Sequence, residues 1–417
     1  MSKRKMKDSG VEWLGEIPAE WDVIRFKYIA SSMRKGNGIT KDEVFEDGDV
    51  PCVRYGEIYS RYGFSVEKCV SRTRMSALKD PVYVNSGDLL FACTGELVEE
   101  IGKNVVYKGK TPCVAGGDIL VATHGQNPSF MNYYLNCHAS QFQKSRGKAK
   151  LKVVHARTSD IGNLVVLVPP VKEQRKIAAY LDGRCAKIDE MVSDAKKTIE
   201  EYKAWKSSVI FEAVTGKCKI ENGECKIGGW AMRESGVEWI GMIPEGWRVN
   251  RVKRIVRVEN GSDPLTEGSI PVYGSGESSF KTCGEFKEGP TVLLGRKGAT
   301  LHIPHYIEGR YWNVDTAFDV RMKGNDNLRW FYYLAISFDY KAYISKTTLP
   351  SMTQSNYNNM HVPHPPVTEQ CAIAAFLDKK CAAIDRVIAE KESLIADLES
   401  YKKSLIFECV TGKMEVA

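Results

Sequence analysis

A 49-residue stretch that occurs twice limits what this chain can fold into. Pro169 to Lys217 reads PPVKEQRKIAAYLDGRCAKIDEMVSDAKKTIEEYKAWKSSVIFEAVTGK, and Pro365 to Lys413 reads PPVTEQCAIAAFLDKKCAAIDRVIAEKESLIADLESYKKSLIFECVTGK, 196 residues later. Paired prolines stand just outside each start, only Gly183 interrupts the first copy, and Thr215-Gly216 supplies its stop, so each copy predicts one long helix. In the first, Leu181, Cys185, Ile188, Val192, Ala195, Ile199 and Tyr202 step by 4 and 3 in turn, a heptad seam. The second repeats it at Leu377, Cys381, Ile384, Ile388, Ile395 and Leu398, with Lys391 where the first has Ala195. Roughly 43 helical residues at 1.5 Å rise make a rod of roughly 65 Å. Two equal rods in one chain can pack antiparallel and bury each other's stripe. The other arrangement, a core helix inside each domain, leaves most of so long a helix beyond the reach of an ordinary domain.

A second repeat shows that the whole chain is duplicated. Ser9 to Trp21 reads SGVEWLGEIPAEW and Ser235 to Trp247 reads SGVEWIGMIPEGW, 226 residues later. Each half therefore has a short aromatic segment, a variable globular region and a long helix. Both variable regions hold an apolar strand entering a Gly-bearing loop, Leu89 to Gly95 and Val292 to Gly298. Both follow it with a strand around Ile119–Val121 or Phe318–Val320, then a short helix with Tyr133-Tyr134-Leu135 or Tyr332-Tyr333-Leu334, and a last strand ending at the double proline. The expectation is an α+β fold of two tandem pseudo-symmetric halves, whose long helices pack as an antiparallel coiled coil. The expected boundaries are 1–168 for the first segment and globular domain, 169–217 for the first helix, 218–234 for a polar connector, 235–364 for the second segment and domain, and 365–417 for the second helix and tail. Strand order is not legible at this level.

Composition and motifs exclude several classes of function. The 417 residues carry a net charge of +7 and 43% hydrophobic content, which permits a polyanionic partner and suits two or three globular units. Twelve cysteines without a CxxC pair read as reduced thiols in a cytoplasmic protein. MSKRKMKDSG has no apolar core behind it, and no run of residues suits a membrane span. Gly109-Lys110-Thr111 ends like a phosphate-binding loop, but the glycine required five places earlier is Asn104. Asn127-Pro128-Ser129-Phe130 lacks the second proline of the amino-methyltransferase turn. His302 with His305 and His361 with His364 have metal-like spacing but no further ligand, and read as structural histidines. No catalytic constellation emerges, and neither metal nor cofactor is expected on this chain.

Nucleic-acid binding has better support. Residues 22–168 hold 20 Lys and Arg against 15 Asp and Glu, and 248–364 hold 15 against 11. Lys144, Arg146, Lys148, Lys150 and Lys152 alternate, so an extended backbone would set all five on one side as a phosphate-binding ridge; a lysine-protected edge strand is the alternative. Arg296 and Lys297 lie between glycines at a strand-to-loop turn, where the first half has Thr94 and Glu96, a difference suited to readers of different sequences. Arg54, Arg72, Arg74, Lys346 and Thr347 complete the candidates.

The PPVxEQxxIAxxLD, SxIFExVTGK and SGVEWxGxIPxxW repeats resemble the specificity subunits of Type I restriction-modification enzymes over essentially the whole chain. That resemblance implies two target-recognition domains, each reading one half of a bipartite, asymmetric double-stranded DNA site, and two helices that set the spacer. It implies no enzymatic activity in this chain, two DNA adenine methyltransferase (modification) subunits as partners, and restriction/translocase subunits reached through them. S-adenosylmethionine, ATP and Mg would belong to those partners. Trp13, Trp21, Trp239, Trp247, Phe211 and Phe407 are candidates for partner docking, or equally for packing against the rods. The competing reading is a stand-alone methyltransferase or nuclease with fused recognition domains.

Overall fold

The computed structural model describes residues 4–148, 153–345 and 350–416. Two units divide the chain, one of residues 1–194 with 394–417 and the other of residues 195–393, so the closing part of the second long helix and the tail belong with the first half. Both repeats of the long stretch are single helices, Val171–Thr215 and Val367–Val410. Each crosses from one unit to the other.

Within each unit the starting half of one long helix packs on the closing half of the other. In the first unit Leu181, Cys185, Ile188 and Val192 are buried with Leu405, Ile406, Cys409 and Val410; in the second, Ile373, Ala374, Leu377 and Cys381 are buried with Ile210, Ala213 and Val214. Charge pairs fix the register. Lys402 Nζ reaches Asp189 at 2.6 Å in the first unit, and Lys206 Nζ reaches Asp385 at 2.7 Å in the second. Asp189 and Asp385 are the same position of the repeat, as are Lys206 and Lys402, so residue i meets j and j meets i. That reciprocity is the mark of a pseudo-twofold, antiparallel coiled coil.

The two globular regions share one topology. The first contains a sheet ordered Ala30–Lys35, Ile119–His124, Leu89–Ala92, Asn104–Tyr107 and Ser65–Val66, and a second ordered Ser71–Thr73, Val50–Val53, Cys113–Ala115 and Tyr83–Val84. The other region repeats four of the five strands of the first sheet, as Val256–Asn260, Ala317–Met322, Thr291–Gly295 and His305–Ile307, and all four of the second, as Lys281–Cys283, Ile270–Tyr273, Arg310–Asn313 and Lys287–Glu288. In each second sheet the middle pair is parallel, Val50–Val53 with Cys113–Ala115 and Ile270–Tyr273 with Arg310–Asn313. The first region adds the helices Tyr55–Ser60 and His138–Ser145. The expected tyrosine helices are Pro128–Asn136 and Leu328–Ile336, each capped by an asparagine, Asn127 or Asn327.

Duplication extends to single hydrogen bonds. Gln174 accepts from the backbone N of Asn127 at 2.9 Å, and Gln370 from that of Asn327 at 2.7 Å. Tyr133 donates to Asp182 at 2.8 Å, and Tyr333 to Asp378 at 2.7 Å. These bonds tie the tyrosine helix of each region to the first turns of its long helix, which makes the globular region and its rod one body within a unit. The connector after the first long helix is a hairpin, Cys218–Glu221 with Glu224–Ile227, turned at Asn222-Gly223 with positive φ at both.

The docking candidates divide. Trp21 and Trp247 are buried, 0% and 3% exposed, and are not surface anchors. The indole Nε1 of Trp21 donates to Glu173 at 3.0 Å, and that of Trp247 to Glu369 at 2.9 Å. Each ring also lies against the glycine that ends the opposing long helix, Gly412 for Trp21 and Gly216 for Trp247. The repeated aromatic segment is therefore a clasp on the start of one rod and the end of the other, because an indole offers both a wide apolar face and one donor that must be paired when buried. Trp13, Trp239, Phe211 and Phe407 are half-buried. Trp21→Phe or Trp247→Phe, which keeps the ring face but removes the donor, is expected to cost about 1 kcal/mol in urea unfolding; no measurable loss would show that the indole–carboxylate bond contributes nothing.

Candidate nucleic-acid interface

In the first unit the parallel strands Val50–Val53 and Cys113–Ala115 end side by side, held by Gly116 N donating to Val53 O at 2.8 Å. Arg54 follows at once. Its side chain lies beside Gly116, where a Cβ would stand 3.6 Å from Arg54 Cγ, an ordinary van der Waals contact. Glu57, 5% exposed, accepts from Arg54 Nε at 2.9 Å, from Arg54 N at 3.1 Å and from Ser71 Oγ at 2.5 Å. Arg54 thus borders a cleft of about 810 Å³ with Lys41, Tyr55, Arg61, Ser71 and Asp118. None of those five neighbours stood out in the sequence. The signal that points to this place is the Arg54 to Glu57 spacing directly after an apolar strand, a helix start whose third residue reaches back to its cap.

Arg72 and Arg74 do different work. Arg72 donates to the carbonyls of Gly48 and Asp49 at 2.5 and 2.9 Å, and Arg74 grips both oxygens of Asp47 while stacking on Phe45 at 4.4 Å. Both brace the loop 45–49.

The described part of the expected ridge, 144–148, is not an extended strand. His138–Ser145 is a helix, and Lys144 near its end is 1% exposed, its ammonium donating to Gly102 O at 2.7 Å, Leu135 O at 2.6 Å and Asn104 Oδ1 at 3.1 Å. Lys144 is therefore a core cation and not a phosphate ligand. Alternation misled at Lys144 because the helix turns successive residues by about 100° and carries it into the core. Arg146 caps the helix, and Lys148 pairs with Asp160 at 2.8 Å. Both line a cleft of about 540 Å³ with His155 and Arg157. Lys150 and Lys152 lie outside the described residues.

In the second unit Arg296 and Lys297 follow strand Thr291–Gly295 as expected, and both flank Asp315, at 3.9 and 3.7 Å. Arg296 also donates to Asp315 O at 3.2 Å. Lys346 and Thr347 lie outside the described residues. Of the expected histidines, His364 bonds Asp326 at 2.9 Å and His361 accepts from Arg251 at 3.3 Å, whereas the buried Nε2 of His305 has no hydrogen-bond partner among the described residues. Among the described residues no group of three or more His, Cys, Asp or Glu is placed to hold a metal ion, and no helix is long and apolar enough to cross a membrane.

Two regions of one topology, each with arginine at the end of a core strand and each braced by paired halves of two long helices, define a duplicated binding protein built on a coiled coil. Residues 18–201 and 244–395 match the model of the Type I restriction modification DNA specificity domain, and the chain belongs to that family. It is 23% identical to the putative type I restriction enzyme MjaX specificity subunit of Methanocaldococcus jannaschii, over 97% of this chain and 96% of that one. The MjaVIII specificity subunit of the same organism is also 23% identical, over 96% and 94%. Among solved structures, a chain from work on complex assembly and conformational transition of the type I R-M system has a TM-score of 0.74 at 16% identity, covering 95% of this chain and 99% of that one. The HsdS subunit from Thermoanaerobacter tengcongensis has a TM-score of 0.53 at 16% identity, covering 95% and 98%. At such identities these likenesses concern the fold.

Proposed function

We propose that this chain is the DNA-sequence-recognition subunit of a Type I restriction-modification complex, reading a bipartite, asymmetric duplex target with one globular region per half-site. The observation that carries the reading is a pair of regions with one strand order and different side chains around the equivalent turn: Arg54 and Lys41 at one, Arg296, Lys297 and Asp315 at the other. A duplicated frame with diverged ends suits two unlike half-sites, since base edges are told apart by donor and acceptor pattern. Arg146, Lys148 and Arg157, with Lys150 and Lys152, suit the phosphate backbone. In this reading the subunit works in the cytoplasm and performs no chemistry. Trp13, Trp239, Phe211 and Phe407 contribute to docking two adenine methyltransferase subunits, which hold S-adenosylmethionine and through which ATP- and Mg-dependent restriction subunits join.

The long helices set the spacer between half-sites. One heptad added at the middle of each long helix, about 10 Å, is expected to lengthen the spacer by about 3 base pairs and leave both half-site sequences alone. Methylome sequencing of hosts with the altered and unaltered gene reads this directly. Altered half-sites with an unchanged spacer would refute the division of labour.

A further inference from the structure

Each globular region presents one arginine over the same turn, delivered from a different strand, and we propose that Arg54 and Arg296 are the guanine-reading residues of the two half-sites, with Glu57 as the positioning residue of Arg54. The inference rests on the DNA-recognition reading above and names the base each region selects.

The equivalence follows from the backbone. In the first region the turn Gly116–Asp118 is held by Gly116 N on Val53 O at 2.8 Å and by Cys93 N on Asp118 O at 2.8 Å. In the second region the turn Val314–Thr316 is held by Val314 N on Tyr273 O at 3.0 Å and by Arg296 N on Thr316 O at 2.7 Å. Position by position, Arg54 therefore corresponds to Gly274, Gly116 to Val314, and Cys93 to Arg296. Bulk has been exchanged across the turn. Where the first region lays an arginine over a glycine, the second lays a valine beside one: a Cβ at Gly274 would stand 3.5 Å from Val314 Cγ2 and 2.7 Å from Thr316 Oγ1. A side chain at position 274 would have to displace Thr316, and the guanidinium arrives instead from position 296, on the neighbouring strand.

Both guanidinium groups are held before any ligand arrives. Glu57 takes Arg54 Nε, and its own oxygens are fixed by Arg54 N and Ser71 Oγ. Among the described hydrogen bonds none uses the two terminal nitrogens of Arg54, which remain as a fork at the border of the 810 Å³ cleft. Arg296 is oriented by the Asp315 carbonyl and lies over the Phe318 ring at 5.8 Å. A guanidinium fork matches guanine O6 and N7 in the major groove, and fixing it beforehand removes rotamer entropy that binding would otherwise cost. Lysine is a poorer substitute, because its ammonium lacks the rigid planar fork that can hold the Glu57 anchor and both guanine acceptors at once.

The test is selection of the full chain on a randomised duplex library, followed by sequencing and competition binding. The wild type is expected to enrich a bipartite consensus with a guanine in each half. Arg54→Ala and Arg54→Lys should each lose about 10- to 100-fold of the preference at one guanine of one half and leave the other half unchanged; Arg296→Ala should do the same in the other half. Glu57→Gln should weaken the same position as Arg54→Ala, which a merely structural role would not single out. An unaltered consensus in the arginine variants, or a loss spread evenly over all sequences as for a phosphate contact, overturns the assignment while the DNA-recognition reading stands. A wild-type chain that enriches no bipartite site overturns both.

Discussion

Gly216→Ala is expected to destabilise the second unit by about 3 kcal/mol. Gly216 ends the first long helix at φ +74°, with its own N on Ala213 O at 3.4 Å and Lys217 N on Glu212 O at 2.9 Å, a Schellman closure. An L side chain in that left-handed conformation costs about 1–2 kcal/mol. Its Cβ would also collide with Pro244 Cδ and approach Trp247 Cη2 to 3.1 Å, and crowding of that kind costs about 1–3 kcal/mol. Gly412, at φ +72°, repeats both the closure and the collision against Pro18 and Trp21 in the first unit. Gly412→Ala should therefore cost as much there. Urea unfolding followed by tryptophan fluorescence reads both variants, because Trp247 and Trp21 are the rings displaced. Losses below about 0.5 kcal/mol, the scale of an ordinary surface change, would show that the helix ends are not clasped as described.

Lys144→Met is expected to cost about 3 kcal/mol and to change how stability follows pH. Removing the ammonium leaves Gly102 O, Leu135 O and Asn104 Oδ1 without their donor in a buried site, and an orphaned buried acceptor costs about 1–3 kcal/mol. Desolvation pushes the Lys144 pKa down to about 7, outweighing the opposing pull of Cys137 and Cys93. In the unfolded chain a lysine titrates near ~10.4, so between those values the unfolded state binds more protons and the stability contributed by the group rises with pH. The gap between wild type and Lys144→Met should widen between pH 7 and pH 9 by on the order of 1 kcal/mol per unit and level off below the folded pKa. Unfolding midpoints across that range decide it; a gap that stays constant or narrows would mean the buried lysine keeps its proton.

Particular residues show how far the sequence reaches. Leu181, Cys185, Ile188 and Val192 sit buried at the spacing that marked them, and the paired prolines and closing Thr-Gly of each copy bound the helices to within two residues. Those features are local, set by periodicity and by what a backbone without a donor or with positive φ permits. Lys144 and Trp21 show the limit. In the sequence Lys144 looks like a surface group because it is charged, and Trp21 suits docking and packing equally, yet each is buried by partners 9 to 152 positions away in sequence, Leu135 O for one and Glu173 for the other. Nor does spacing reveal that Arg54 and Arg296 share a turn, since they occupy different positions of the common frame.

The sequence by itself determined the duplication, the two long seamed helices and the α+β character of each half, because identity between repeats and hydrophobic period are properties of neighbouring residues. Only the tertiary structure decided the strand order, the reciprocal pairing of Asp189 with Lys402 and of Asp385 with Lys206, which cations face solvent, and the meeting of each long helix's end with the aromatic segment of the opposite half. Those depend on contacts between residues far apart along the chain, and burial, which sets their energies, is a property of the packed molecule.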